Sequence, residues 1–264
     1  MRPFLIQELM KHFLRGVILM ISSIIFGQDI IQEKFGNGET LKWKEYEINN
    51  NKWGENKVKK GVYNQSIFIK NYFAGWKWQT SGKKYGVIGY PEIWFGESAW
   101  RNLSDVKTEN YFKRIDELKT FEVAYKTKLE VNDKKYNLAF DFWLHNSPKV
   151  ALQTIAIEVM IWEDYNKFTP FGKKSGNIKT SFGEYTIYRG HIIKKDLNTS
   201  WDYIAFVRKD KRTSGKVNVM ELIDEMNKRD FIGQNIYLSS FEFGTEILNS
   251  TGNILIEKYE LQIE

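Results

Sequence analysis

Three carboxylates sit inside short apolar runs of this 264-residue chain: Asp141 in YNLAFDFWL (residues 136–144), Glu158 in IAIEVMIW (155–162) and Glu246 in FEFGTEIL (241–248). In a β-strand, side chains alternate between two faces. In the second run that alternation gathers Ile155, Ile157, Val159 and Ile161 on one aliphatic face and leaves Ala156, Glu158, Met160 and Trp162 on the other. The first run divides into Tyr136, Leu138, Phe140, Phe142 and Leu144 against Asn137, Ala139, Asp141 and Trp143. In the third, Tyr237, Phe241 and Phe243 share a face, opposite Glu242, Gly244 and Glu246. Each acid is thus expected on the face turned away from the core, next to an aromatic ring, a thioether or a glycine. A carboxylate on such an apolar but open face has a tunable pKa.

Two such acids across a groove fit glycoside hydrolysis. One protonates the leaving oxygen, and the other acts as a nucleophile or as a base for water. A carboxyl pair about 5–5.5 Å apart gives retention, and a wider pair leaves room for water and gives inversion. Like charges placed together also raise one pKa, which keeps the acid protonated.

Other chemistries are poorly supplied. With no Cys there is no thiol chemistry, and only His12, His145 and His191 are present, so no His-rich metal site is expected. SGKKYG and GKKSGN have the composition of phosphate loops without the P-loop spacing, and no G-x-S-x-G elbow occurs. No cofactor and no metal are expected. The net charge of +6 arises from mixed signs without a polybasic block, which argues against a nucleic-acid partner.

The elements that must position these acids are strands. Alternating runs recur between Gly, Asn, Asp and Lys clusters, with no repeat and no long linker, and 16% of residues are aromatic. This predicts an all-β sandwich or jelly roll. A single departure, VNVMELIDEMNKRDF, has Val219, Leu222, Ile223 and Met226 at helical spacing, with Asn218 and Glu221 placed for a capping box. One helix on the outside of a sheet is expected. At the N-terminus, Arg2, Lys11 and Arg15 precede an 11-residue apolar run, residues 16–26, too short to span a bilayer comfortably. Residues 1–27 therefore read as an export signal, with residues 28–264 as one catalytic domain. Removal of the signal takes the charge from +6 to +4. Met10 is an alternative start, and an uncleaved anchor is the competing reading.

Six segments in order resemble glycoside hydrolase family 12, the small retaining endo-β-1,4-glucanases: NNKWG (50–54), GYPEIWFG (89–96), YNLAFDFWL, IEVMIW, WDYIAF (201–206) and FEFGTEI (241–247). The resemblance runs from about residue 49 to the C-terminus. It implies a jelly roll of two antiparallel sheets with an open, concave cleft. It further implies Glu158 as nucleophile, Glu246 as general acid/base, and Asp141 hydrogen-bonded near Glu158. Trp53 and Trp162 become sugar platforms, Asn51 stands beside Trp53, Met160 lies beside the nucleophile, and Pro170 falls in a loop crossing the cleft. Trp76 and Trp78 in GWKWQT are expected as cleft aromatics. The segment GTEILNSTG lacks the Trp or Pro flanks common in the family, so preference on the leaving-group side stays open. The implied protein is a secreted monomer acting on β-1,4-glucan. A xyloglucan-directed enzyme, a non-catalytic carbohydrate-binding jelly roll and a membrane-tethered surface protein are the alternatives.

Overall fold

The computed structural model describes residues 32–58, 60–81, 86–100, 113–132 and 134–264. The expected export segment lies outside them. The strands are β1 (Gln32–Lys34), β2 (Thr40–Trp43), β3 (Tyr46–Asn49), β4 (Tyr63–Lys70), β5 (Phe73–Thr80), β6 (Glu92–Gly96), β7 (Lys113–Arg114), β8 (Phe121–Val131), β9 (Tyr136–His145), β10 (Ile155–Asn166), β11 (Lys173–Thr180), β12 (Gly183–Lys194), β13 (Thr199–Arg208), β14 (Ser214–Asn218), β15 (Tyr237–Gly244) and β16 (Thr251–Ile263). One α-helix, α1 (Val219–Lys228), follows β14.

Two sheets result. The smaller has the order β1-β4-β5-β16-β8-β14, and the larger β11-β12-β13-β10-β9-β15-β6-β3-β2, with β7 attached to β15. Pairing is antiparallel except between β10 and β13. That parallel pair arises because the chain leaves β10, builds the β11–β12 hairpin farther out, and returns as β13 in the gap.

The alternation that exposes the acids also builds the core. Leu138, Phe140, Phe142 and Leu144 from β9 meet Phe241 and Phe243 from β15, and all are buried against Phe121 and Tyr125 of the facing sheet. Phe140 stacks on Phe243 with ring centroids 4.5 Å apart. Each such ring contributes roughly 1.5–3 kcal/mol on full burial. Two bulges modify the expected faces. The register shifts between Ile155 and Ile157, so Ile155 leaves the inter-sheet core and packs against Trp143 and Trp201. A second shift, between Leu238 and Ser240, sends Leu238 inward in place of Tyr237. Both lie upstream of the acids and leave their faces unchanged.

Glu163, also on β10, points inward and has a fully buried side chain. Tyr125 Oη donates to it at 2.7 Å, Tyr185 Oη donates to its other oxygen, and Arg212 Nε forms an ion pair with it. Arg208 completes the cluster, donating to Tyr185 Oη at 2.7 Å.

The helix buries Val219, Leu222, Ile223 and Met226, as its periodicity predicts. It lies across the side of the sandwich, in contact with β8 of one sheet and β11 of the other, and not on the outside of a single sheet. The expected capping box does not form. Asn218 donates to the Glu221 side chain at 3.3 Å, and Glu221 instead accepts from the backbone N–H of Ser181 at 2.8 Å. The helix terminus is thereby fastened to the β11–β12 turn.

Candidate active site

β9 lies between β10 and β15 and sets the register of the acids. Asp141 is opposite Met160 on one side and Glu242 on the other, and Trp143 is opposite Glu158. Farther across the sheet, Glu242 faces Trp94, while Gly244 faces Glu92, which in turn faces Asn49 of β3. Glu246 lies two residues beyond the end of β15. Its alternation persists because Ile247 bridges to Gly89 and to Tyr136 and is buried in the core. Gly244 is required here: a Cβ would stand 2.7 Å from the Tyr90 ring, which lies over the sheet and donates to the Ala139 carbonyl at 3.0 Å.

These residues line a cavity of about 710 Å³ on the outer face of the larger sheet. Six carboxyl groups line it: Glu92, Asp141, Glu158, Glu242 and Glu246 on the floor, and Asp196 from the turn between β12 and β13. Trp201 Nε1 donates to Glu158 Oε2 at 2.7 Å. Asn137 secures Glu246 twice, with its amide nitrogen on the carboxylate and its Oδ1 accepting the Glu246 backbone N–H at 2.8 Å.

Burial raises the pKa of Glu158 to about 7, against the opposing pull of the Trp201 hydrogen bond and the Lys194 charge. Burial and then the Glu158 charge raise Glu246 to about 8, with the Asn137 bond acting the other way. Asp141 is pushed well above the carboxylate range by burial, then by Glu158 and Glu242. Glu158 therefore ionises before Glu246. The geometry can offer one carboxylate and one carboxylic acid to a ligand in the same cavity.

The cavity takes in Asn51, Trp53 and Met160 along with the three acids. Trp53 is about half exposed, and Met160 Sδ accepts from Tyr203 Oη at 3.3 Å. Four residues expected at the cleft lie elsewhere. Trp76 and Trp78 belong to β5 in the smaller sheet and point into the core, donating to Thr245 Oγ1 at 3.2 Å and to Ser250 Oγ at 2.9 Å. They support the segment that carries Glu246 and face no ligand. Trp162 is on the expected face but fully buried, because Phe168 from the following loop packs over it with centroids 4.9 Å apart. Pro170 is buried in that loop and does not line the cavity, while its neighbour Phe171 meets Tyr203 edge-on. No hydrogen bond joins Asp141 to Glu158 among the described residues. Asp141 Oδ1 is buried without a partner, and the two acids act on each other through charge.

Trp201 and Asn137, which hold the two acids, were not singled out by sequence reading, nor were Glu92, Glu242 and Lys194. The alternation in WDYIAF places Trp201 with Tyr203 and Ala205, and Asn137 shares the Asp141 face. Their partners, however, follow only from the β10–β13 pairing and from the turn after β15.

Comparison with known proteins gives the family and the fold. Glycosyl hydrolase family 12 matches residues 44–264. Endoglucanase S of Pectobacterium parmentieri is 26% identical over 253 residues, covering 93% of this chain and 90% of the relative. The family 12 xyloglucanase from Bacillus licheniformis superposes with a TM-score of 0.78 at 23% identity, over 88% of this chain and 100% of the other. Endoglucanase 3 of Trichoderma harzianum gives 0.71 at 18% identity, over 88% and 97%. The chain belongs to glycosyl hydrolase family 12, and it is a glycoside hydrolase.

Proposed function

We propose that the protein is an exported endo-β-1,4-glucanase that works by retaining double displacement, with Glu158 as nucleophile and Glu246 as general acid/base. The observation that carries this reading is the unequal support of the two acids in one cavity. Glu158 has an indole N–H donor and a nearby ammonium, and so ionises first. Glu246 faces the Glu158 charge, and so retains its proton. Endoglucanase S and the endo-acting relatives support the choice of substrate.

In the first step Glu158 attacks the anomeric carbon while Glu246 protonates the departing glycosidic oxygen. The Glu158 charge is then consumed in the glycosyl ester. Its repulsion on Glu246 disappears, the Glu246 pKa falls, and that group becomes fit to deprotonate water in the second step. Asp141, held neutral by burial and by its acidic neighbours, can donate a hydrogen bond to the carboxylate beside it. Trp53 offers a half-exposed aromatic face to a sugar at one wall.

Residues 1–27 act as the export signal in this reading, and the mature enzyme works as a monomer outside the cell. No described helix is long and apolar enough to cross a membrane. Reducing-sugar release from soluble cellulose, mixed-linkage glucan, xyloglucan and xylan, measured in parallel, tests the substrate. NMR of the first product tests the mechanism: β product is expected, and initial α product would make Glu158 a base for water.

A further inference from the structure

Lys57 follows β3, and Lys194 ends β12. Five strands (β13, β10, β9, β15 and β6) separate β12 from β3 in the larger sheet. Both lysines nevertheless line the same cavity. They therefore approach it from opposite edges of the sheet, over the carboxylate floor. Lys57 Nζ lies 4.0 Å from the centroid of the Trp53 ring, on the proposed sugar platform. Neither ammonium has a carboxylate within ion-pairing distance among the described residues, although Asp196 lines the same wall as Lys194. Elsewhere on the larger sheet Lys209 is paired with Glu184 at 3.0 Å. Partial burial and the Lys194 charge both lower the Lys57 pKa, and the Lys194 charge also reaches the Glu158 carboxylate on the floor.

An anion between the two ammonium groups would relieve that repulsion. Phosphate-sized dianions would meet five carboxyl groups below. A monoanionic carboxylate on a sugar ring stacked at Trp53 reaches the lysines while the ring itself covers the floor. We infer that Lys57 and Lys194 form a two-sided clamp for carboxylate groups carried by the glucan chain, so that the enzyme favours acidic β-glucans over neutral ones. This rests on the endoglucanase reading above.

The test compares kcat/KM for carboxymethylcellulose, C6-oxidised cellulose and hydroxyethylcellulose at low and high salt. The wild-type preference for a carboxylated polymer should fall about threefold in Lys57→Gln and in Lys194→Gln, and about tenfold in the double variant, as exposed ion pairs allow. For Lys57→Gln the change should appear mainly in KM; Lys194→Gln also alters kcat on every polymer through Glu158, so there the ratio between polymers is the readout, and the loss of preference should fade at high salt. Loss of preference on one carboxylated polymer alone assigns the carboxylate to a ring substituent or to C6. A ratio unchanged within twofold in the double variant overturns the clamp, as does an equal effect from Lys216→Gln on β14 of the other sheet, which would mean overall charge. If the wild type hydrolyses none of the polymers, the endoglucanase reading fails by itself. Calorimetry of cellotetraose against its C6-oxidised form, on wild type and double variant, then still decides the clamp.

Discussion

Glu158 and Glu163 lie five residues apart on one strand and on opposite faces of it, Glu163 fully buried between the sheets and Glu158 half-buried in the floor of the cavity. Glu163 receives two phenol hydroxyls and an arginine, with a second arginine behind. Glu158 receives one indole N–H and shares its cavity with five other carboxyl groups. The inward acid is compensated as a structural ion cluster must be. The outward acid is left short of compensation: burial raises its pKa against the pull of Trp201 and Lys194, and burial together with the Glu158 charge raises that of Glu246. A strand can thus carry a staple and a reagent side by side, and the partners supplied by other strands decide which is which.

The sharpest way to break this contrast is to exchange charge for shape. Glu158→Gln should cost on the order of 10⁴-fold or more in kcat and leave oligosaccharide affinity by calorimetry nearly intact, since the amide cannot attack. Activity within tenfold of wild type would remove Glu158 from the role. Glu246→Ala should cost about 10²–10⁴-fold on glucans. With a good leaving group its first step should survive, and azide should restore turnover and give a β-glycosyl azide; an α azide would sink the assignment. Glu163→Gln should do the reverse of Glu158→Gln: about 3–5 kcal/mol of stability lost by denaturant titration, because two arginines are left with an uncompensated charge, and near-normal kcat in the molecules that remain folded.

Two smaller effects sharpen the picture. Both folded-state pKa values in the pair lie above the usual 4.5, so ionisation destabilises the fold as pH rises from about 4.5 towards 7 for Glu158 and towards 8 for Glu246. Glu246→Gln should therefore be more stable than wild type at pH 8, by about 1 kcal/mol or more, with no such gain at pH 4. A gain that is the same at both pH values would locate it in packing. In the same scheme kcat/KM should rise with the ionisation of Glu158 and fall with that of Glu246, giving a narrow bell near neutrality. Finally, Trp53→Ala should weaken binding of long oligosaccharides about tenfold with little change in Tm, while Trp76→Ala should lose about 3–5 kcal/mol of stability. Interchanged results would restore Trp76 to the cleft.

The alternation in β9, β10 and β15 was legible in the sequence because one face of each strand is nearly all aliphatic or aromatic, and that pattern alone turned Asp141, Glu158 and Glu246 outward. The helix was legible for the same reason. Trp76 and Trp78 were misread because GWKWQT gives both tryptophans one face without saying which: composition makes a tryptophan equally fit for a core and for a sugar. Trp162 had the right face, but Phe168, from a loop with no periodicity, covers it. The Trp201–Glu158 and Asn137–Glu246 bonds join residues 43 and 109 positions apart, and strand order, which fixes such bonds, leaves little trace in local pattern.

The parallel β10–β13 pair bears on how the enzyme comes into being. Trp201 can reach Glu158 only after the chain has made its excursion through β11 and β12, and the Glu246 anchor waits for β15 to dock against β9. Contacts of such long sequence separation close slowly, since loop entropy must be met before they reward it. Hydrolytic competence should therefore be among the last properties to appear on refolding, after the hairpins and α1 have formed, so that recovered activity reports the completed topology and not merely a collapsed, β-rich chain.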